Sequence, residues 1–329
     1  MEGPPVARVA LLPILALLVL FSSRSFTLMH DCGHNSLFAT RWLNRSFGFL
    51  LGCLNAIPQY PWSRGHAFHH QHNGNWEKYR GPSALLTCQQ FLALSPLRQW
   101  FYQFLRHPLM LLPGGLFYLV LKPRLQLFLG IIEWMFATIS YCMAGGSPSA
   151  VDLPAFWRQL RSNYWYTGGE FLDLLFNNII VISSWILMGR WLGHGVFWSC
   201  YAIVMSFSAA IFICIFFVQH NFQGSYASGS TNWNYLQGAL KGSSNLVMPA
   251  ILNWFSADIS LHSIHHLCER IPNYRLRACH NHNANILSGC KSMLISDIPS
   301  CFRYILWDDI NFQLSSIAEA RAATFAHSA

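Results

Sequence analysis

Three clusters of histidine carry the residue types and spacings in this sequence that could do chemistry. They form one HxxxH pattern and two HxxHH patterns, and their members are His30, His34, His66, His69, His70, His262, His265 and His266. Residues three and four apart share one face of a helix, so each cluster can direct two or three imidazoles at one point. Tetrahedral zinc takes four ligands. Eight imidazoles therefore predict two metal ions of a kind that accepts many nitrogen ligands, and iron is the natural candidate.

The composition indicates that these histidines belong to an integral membrane protein. Of the 329 residues, 53% are hydrophobic and only 10% are charged, against about 25% in a typical soluble domain. The net charge of +8 fits basic loops that face an anionic cytoplasmic leaflet. The basic residues are scattered along the chain, which argues against a nucleic-acid-binding protein.

The ten cysteines contain no CxxC pair, and several lie inside apolar runs. This usage is typical of small buried residues and not of a disulfide framework. Cys32 lies within the first histidine cluster, where the neighbouring imidazoles already suffice as ligands.

The first apolar run, Val9 to Ser23, predicts a membrane helix over about residues 9–29. A cleaved signal peptide is disfavoured because no small-x-small site is present and Arg24 follows at once. The helix would carry His30 and His34 at its end.

The clearest further membrane spans are 174–189 and 195–218, with 109–121 and 125–151 as additional candidates. The chain turns polar after the last span, so about residues 219–329 are expected to form a cytosolic helical cap.

The order of the clusters constrains the number of crossings. If the second and third clusters form one site, they lie on one side of the membrane, and two or four crossings must separate them. By the same argument, Ser46–Ser63, which contains Pro58 and Pro61, is expected to lie in the interface and not to cross.

Several other residues could assist a metal site. His220 ends the last apolar span and is expected to be a ninth ligand. A ring nitrogen that does not bind the metal should donate to an acceptor nearby, and the candidate acceptors are Asp31, Asn221, Asp258 and Glu269. His72 is offset by two from His70 and should face away, whereas His280 and His282 fit a polar loop.

These motifs resemble a known family. The segment His30–Phe38 resembles the first histidine box of membrane fatty acid desaturases of the oleate (delta-12/omega-6) type, and Trp62–His70 resembles the second. Phe217–His220 is similar to the segment that carries an extra histidine ligand, and Leu261–Leu267 is similar to the third box. The likeness runs from about residue 28 to 310. The family usually has two membrane helices before the first box, where this sequence has room for one.

The resemblance implies an all-α integral membrane protein with a single desaturase domain over 1–329. It implies a transmembrane helical bundle whose cytosolic cap holds a histidine-rich di-iron centre, with all nine histidines named above as ligands. The expected activity is oxygen-dependent insertion of a cis double bond into an acyl-lipid or acyl-CoA. The sequence Leu112-Pro113-Gly114-Gly115 lacks the histidine that a fused haem domain would place before Pro-Gly-Gly, so a ferredoxin or a small b-type cytochrome should supply electrons. The expected location is the bacterial inner membrane or the endoplasmic reticulum, with the histidines on the cytoplasmic side.

The sequence is also compatible with three other functions. The same di-iron scaffold could catalyse fatty acid hydroxylation, acetylenation or carotenoid oxidation. A zinc-dependent membrane hydrolase such as a ceramidase would use fewer histidines and one open metal position. A catalytically inactive membrane protein that binds a partner is the third class.

Overall fold

The structure, a computed structural model, describes residues 5–81, 84–146 and 162–328 and is mostly helical. The helices are α1 (Pro5–Gly33), α2 (Arg41–Leu54), α3 (Gln59–His72), α4 (Cys88–Leu92), α5 (Pro96–Leu105), α6 (Leu111–Leu116), α7 (Lys122–Met143), α8 (Gly168–Leu192), α9 (His194–Val218), α10 (Tyr235–Lys241), α11 (Ala250–Phe255), α12 (His262–Leu267), α13 (Asn273–His282), α14 (Ala284–Leu287), α15 (Ile298–Cys301) and α16 (Ile317–Ser328).

Short strands accompany these helices. They are β1 (Leu86–Thr87), β2 (Ser244–Val247), β3 (Lys291–Leu294), β4 (Tyr304–Asp308) and β5 (Gln313–Ser316). β4 pairs in parallel with β1 and antiparallel with β5, and β2 pairs in parallel with β3. Four of these strands, β2 to β5, lie within the predicted helical cap over 219–329 and add two small sheets to its helices.

The chain divides into two compact units. Unit 1 comprises Met1–Gly65 and Leu116–Ser206, and unit 2 comprises His66–Gly115 and Phe207–Ala329.

A partly buried arginine connects three segments of unit 1. The guanidinium of Arg124 on α7 donates to the side-chain oxygens of Asn177 and Asn178 on α8, each at 2.6 Å, and to the carbonyl oxygen of Ala56 at 3.1 Å. A charge inside an apolar bundle needs such acceptors, because an unpaired buried charge is costly.

Apolar clusters stabilise unit 2. One of them joins the end of α9, at Ile215 and Val218, to Leu246 on β2 and Met293 on β3. Another packs Phe91 and Tyr102, on the small helices α4 and α5, against Ile305 and Leu306 on β4. These clusters fix the end of α9 and the strands around which the histidines of this unit are arranged.

Within the residues that the structure describes, four helical stretches are long and apolar enough to cross a membrane: Leu11–Gly33, Pro108–Met143, Gly168–Leu192 and His194–Val218. The helical membrane architecture expected from the sequence is thereby confirmed.

One difference concerns the candidate spans 109–121 and 125–151, which the sequence suggests as separate crossings. Within the described residues, the structure joins them into a single helical stretch of 36 residues, Pro108–Met143; the predicted end at residue 151 lies outside the described residues. Pro123 does not interrupt this stretch. A π-helical segment, Phe117–Leu121, lies just ahead of it, and a widened turn tolerates the missing N–H of proline.

Candidate metal centre

Four histidines of unit 2 converge on one point. His69 lies on α3, His220 lies two residues after the end of α9, and His262 and His266 lie on α12. One ring nitrogen from each of the four lies within 4.8 Å of the others. His69, His262 and His266 are buried.

The nitrogen separations in this four-histidine cluster suit metal coordination. The Nε2 atom of His220 lies 3.1 Å from that of His69 and 3.0 Å from that of His262, and the Nε2 atoms of His262 and His266 are 3.1 Å apart. Two imidazole nitrogens bound to one metal at about 2.1 Å and at right angles to each other lie roughly 3 Å apart. The donor set, four imidazoles without a thiolate, suits iron or zinc.

The protonation state of His220 is fixed by its neighbour Gly242. Its Nδ1 atom lies 2.9 Å from the carbonyl oxygen of Gly242, and because a carbonyl only accepts, Nδ1 carries the proton and Nε2 keeps its lone pair. Burial lowers the pKa of His220 to about 4 and that of His266 well below its usual value. Both imidazoles are therefore neutral near pH 7, the form that binds metals.

The loop that bears Gly242 is held by Asn73, which lies just after α3. The Asn73 amide donates to the carbonyl oxygens of Gly238, at 2.8 Å, and Gly242, at 3.2 Å. A Cβ atom at Gly242 would lie 2.6 Å from the carbonyl oxygen of Gly238, so this approach requires glycine. The sequence interpretation missed Asn73; its only signal was its position three residues after His70.

A second group of histidines lies beside the first within unit 2. The Nε2 atom of His70 lies 3.0 Å from that of His66 and 3.1 Å from that of His265. The rings of His70 and His266 stack with their centroids 4.2 Å apart, so the two groups are neighbours. Glu269, a predicted acceptor, places a carboxylate oxygen 3.6 Å from Nδ1 of His70.

The first histidine box lies in unit 1. His30 and His34 are buried at the end of α1, and their rings meet edge to face with centroids 4.7 Å apart. The Nδ1 atom of His30 lies 3.1 Å from the carboxylate of Asp31, as expected for a carboxylate that orients a ligand imidazole.

Two of the predicted acceptors bind elsewhere. The Asn221 amide donates to the carbonyl oxygen of Tyr304 at 3.0 Å, and Asp258 forms an ion pair with Arg277. Asn221 and Asp258 are close to the histidines in sequence, but the fold places Tyr304 and Arg277 within reach of them.

The remaining candidate histidines stay out of these groups. Nδ1 of His72 lies 3.1 Å from the carbonyl oxygen of Phe68 on its own helix. His280 and His282 lie on helix α13, so the prediction of a loop there was wrong. Pro272 precedes the first residue of that helix, a position that helices favour for proline because it needs no N–H.

An open pocket in unit 2 reaches the four-histidine cluster. Its lining includes His69, His220, Tyr79 and Arg80. Small solutes can therefore approach the two imidazoles from the surface of this unit.

Comparison with known proteins agrees with this geometry. Residues 6–289 match the model of the family "Fatty acid desaturase". The chain is 28% identical over 297 residues to a fatty acid desaturase of Bacillus subtilis, covering 90% of this chain and 74% of that protein.

Plant and cyanobacterial proteins are more distant. A Delta(12) acyl-lipid conjugase (11E,13E-forming) of Impatiens balsamina is 22% identical over 75% of this chain, and an sn-1 oleoyl-lipid 12-desaturase of Synechocystis is 20% identical over 78%. The chain spans 59% and 63% of the length of these two relatives.

The family match extends over most of the chain and includes all three histidine boxes. The histidine groups fit metal binding, and the apolar helices fit a membrane protein. The chain therefore belongs to the fatty acid desaturase family, and it is an oxidoreductase that acts on fatty acids.

Proposed function

We propose that this protein is an oxygen-dependent membrane desaturase that introduces a cis double bond into an acyl chain, at the delta-12/omega-6 position, by means of two histidine-bound iron ions. The observation that carries the proposal is the convergence of four imidazoles, three of them buried, in the four-histidine cluster. Bringing such polar groups together away from water is unfavourable unless their lone pairs are satisfied, and a metal ion satisfies all four.

The proposed ligands of the two ions are the nine histidines named from the sequence. The four-histidine cluster supplies His69, His220, His262 and His266 to one ion. The other five proposed ligands, implied by the family resemblance for the di-iron centre as a whole, are His30, His34, His66, His70 and His265. When bound, iron would supply the oxidising power that removal of hydrogen from an unactivated methylene requires and that side chains lack.

The residues of the chain hold and orient this centre. Gly242 fixes the tautomer of His220, and Asp31 and Glu269 contact the Nδ1 atoms of His30 and His70. Such contacts fix the ring orientation and raise the basicity of the nitrogen that would bind the metal, and in metalloproteins their loss lowers metal affinity or activity about 10–100-fold.

The position of the double bond is supported by the first-box sequence and by relatives whose names specify carbon 12. Other relatives are conjugases. Conjugated products are therefore included among the outcomes of the test below.

Electrons and membrane placement complete the proposal. Molecular oxygen is the oxidant, and a ferredoxin or a small b-type cytochrome is the electron donor. The substrate is an acyl-lipid or acyl-CoA, and the histidines face the cytoplasm from the bacterial inner membrane or the endoplasmic reticulum.

The test is expression in a host rich in oleate, followed by gas chromatography–mass spectrometry of the fatty acid methyl esters. We expect a new dienoic acid that disappears in His265→Ala and persists in His72→Ala, the matched control outside the histidine groups. Conjugated, hydroxylated or acetylenic products would replace the proposed reaction with a related one. Unchanged lipids in a protein that binds zinc in place of iron would refute it.

A further inference from the structure

Helix α5, in unit 2, turns an apolar face outward. Five large apolar side chains on one side of the helix are exposed, Leu97 to 74% and the others to between 41% and 58%. They are Leu97, Trp100, Phe101, Phe104 and Leu105. At 100° per residue these positions span roughly 140° of the helix surface, the width typical of a face that packs against something apolar.

The opposite side of α5 is firmly attached. Tyr102 is buried; its hydroxyl donates to the carbonyl oxygen of Ile305 at 2.6 Å and accepts from the N–H of Leu86 at 3.1 Å. The Gln99 amide donates to the carbonyl oxygen of Leu94 at 3.0 Å. The helix thus has one face anchored in its unit, while the exposed apolar face points away from it.

The chain that follows α5 indicates what covers this face. Only two residues separate the helix from Pro108–Met143, which is apolar enough to enter a membrane, and Leu109 continues the exposed apolar surface at 65%. A helix joined so closely to a membrane segment lies at the level of the bilayer surface.

The composition of α5 fits that level. Trp100 and Phe104 stack with their ring centroids 5.2 Å apart, and the exposed Arg98 lies beside the apolar face. Aromatic residues beside a basic residue are typical of helices that lie in the lipid interface and meet anionic headgroups.

We infer that α5 is a membrane-surface helix, whose apolar face is inserted at the boundary between the lipid headgroups and the acyl chains. The occupant of this face is the bilayer and not a second protein.

The inserted helix is connected to the four-histidine cluster through β4. Tyr102 binds the carbonyl oxygen of Ile305, and the preceding carbonyl, that of Tyr304, accepts from Asn221, the residue after His220. Two successive residues of one strand therefore link α5 to a proposed ligand. If the proposed function holds, α5 sets the depth at which acyl chains meet the metal centre.

The insertion can be tested by photo-crosslinking in native membranes. The photoreactive amino acid p-benzoyl-phenylalanine is placed at Phe101 or Phe104 and, as the matched control, at Gln103, which is exposed on the same helix but outside the apolar face. We expect lipid adducts, detected by mass spectrometry, to be about fivefold more abundant at Phe101 and Phe104 than at Gln103. Neither phenylalanine is buried, so the replacements leave the core of the unit intact.

Three results would overturn the inference. One is a crosslink to a second copy of the chain, another is a crosslink to a different protein, and the third is an equal lipid yield at all three positions. Photo-crosslinking does not depend on enzymatic activity, so it can be repeated in the His265→Ala variant. The crosslinking result therefore tests the membrane contact of α5 separately from the proposed reaction.

Discussion

His220 donates a hydrogen bond from Nδ1 to the carbonyl oxygen of Gly242 at 2.9 Å. This single contact leaves Nε2 as the nitrogen with a lone pair, and that atom lies within 3.1 Å of the Nε2 atoms of His69 and His262. The orientation of one backbone carbonyl thus decides whether this imidazole can bind a metal at the four-histidine cluster.

Removing the His220 imidazole should empty one of the two proposed metal positions. For His220→Ala we expect the iron content of the purified protein to fall by about half, because the second group of histidines does not include this residue. Activity should fall by more than about 100-fold, since losing a partner of a ligand already costs 10–100-fold. Metal analysis by mass spectrometry measures the first effect and lipid profiling the second.

His72→Ala is the matched control for that variant. The side chain of His72 lies at hydrogen-bond distance from the carbonyl oxygen of Phe68 on its own helix, so the iron content of the His72→Ala variant should match that of the wild type. Full iron content in His220→Ala would show that His220 is not a ligand.

Asn73 should act on the same centre without touching it. In Asn73→Leu, the carbonyl oxygens of Gly238 and Gly242 each lose one donor and keep another, the N–H of Gly242 and Nδ1 of His220. We expect a loss of about 1 kcal/mol of folding free energy, the net contribution of a typical hydrogen bond. The Gly242 carbonyl is then free to turn away from His220, and we expect iron affinity to fall about tenfold.

Chelator titration of the purified protein, compared with its thermal unfolding, measures the two effects of Asn73→Leu. Asn281→Leu, an exposed site on α13, is the control. A loss of stability with no change in iron affinity would show that Asn73 supports the fold alone.

The histidine groups were predictable because their ligands follow helical spacing. His66, His69 and His70 share one face of α3, and a local pattern reports such a face without any tertiary information. His220 was identified by its position at the end of an apolar run, which also depends on local sequence alone.

The supporting contacts were not predictable, because they join residues far apart in the chain. Asn73 and Gly242 are separated by 169 positions, and no local pattern encodes their meeting. The strands of unit 2 were missed for the same reason: β1 and β4 pair across more than 200 residues, and segments of two to five residues give little periodicity to detect. The continuity of Pro108–Met143 was missed because the charged residues Lys122 and Arg124 separate the two apolar runs.

Arg124 should be essential for unit 1. Arg124→Leu leaves the side-chain oxygens of Asn177 and Asn178 and the carbonyl oxygen of Ala56 without their donor. At about 1–3 kcal/mol for each unsatisfied buried group, the expected loss is at least about 3 kcal/mol, and the yield of monodisperse protein in detergent should collapse. Arg190→Leu removes an exposed arginine at the end of α8 and should behave like the wild type. Equal thermal unfolding temperatures for the two variants would contradict this account.

The path of Pro108–Met143 through the membrane follows from the histidines. His70 and His265 have Nε2 atoms 3.1 Å apart, yet three candidate spans lie between them in sequence. Two residues whose side chains meet at one site lie on one side of the membrane, so an even number of crossings separates them. Trp185 on α8 contacts both Trp198 and Tyr201 on α9, as in a helical hairpin, and these two helices supply one crossing in each direction.

We therefore expect Pro108–Met143 not to cross the bilayer, so that both of its ends lie on the side of the histidines. An epitope tag inserted at Gly145, just after α7, should be accessible from the same side as a tag at the C-terminus after Ala329. A tag at Gly193, between α8 and α9, should be accessible only from the opposite side. Selective permeabilisation of cells with antibody detection distinguishes the two sides. If the tag at Gly145 is accessible from the same side as the tag at Gly193, Pro108–Met143 crosses the bilayer and this expectation is wrong.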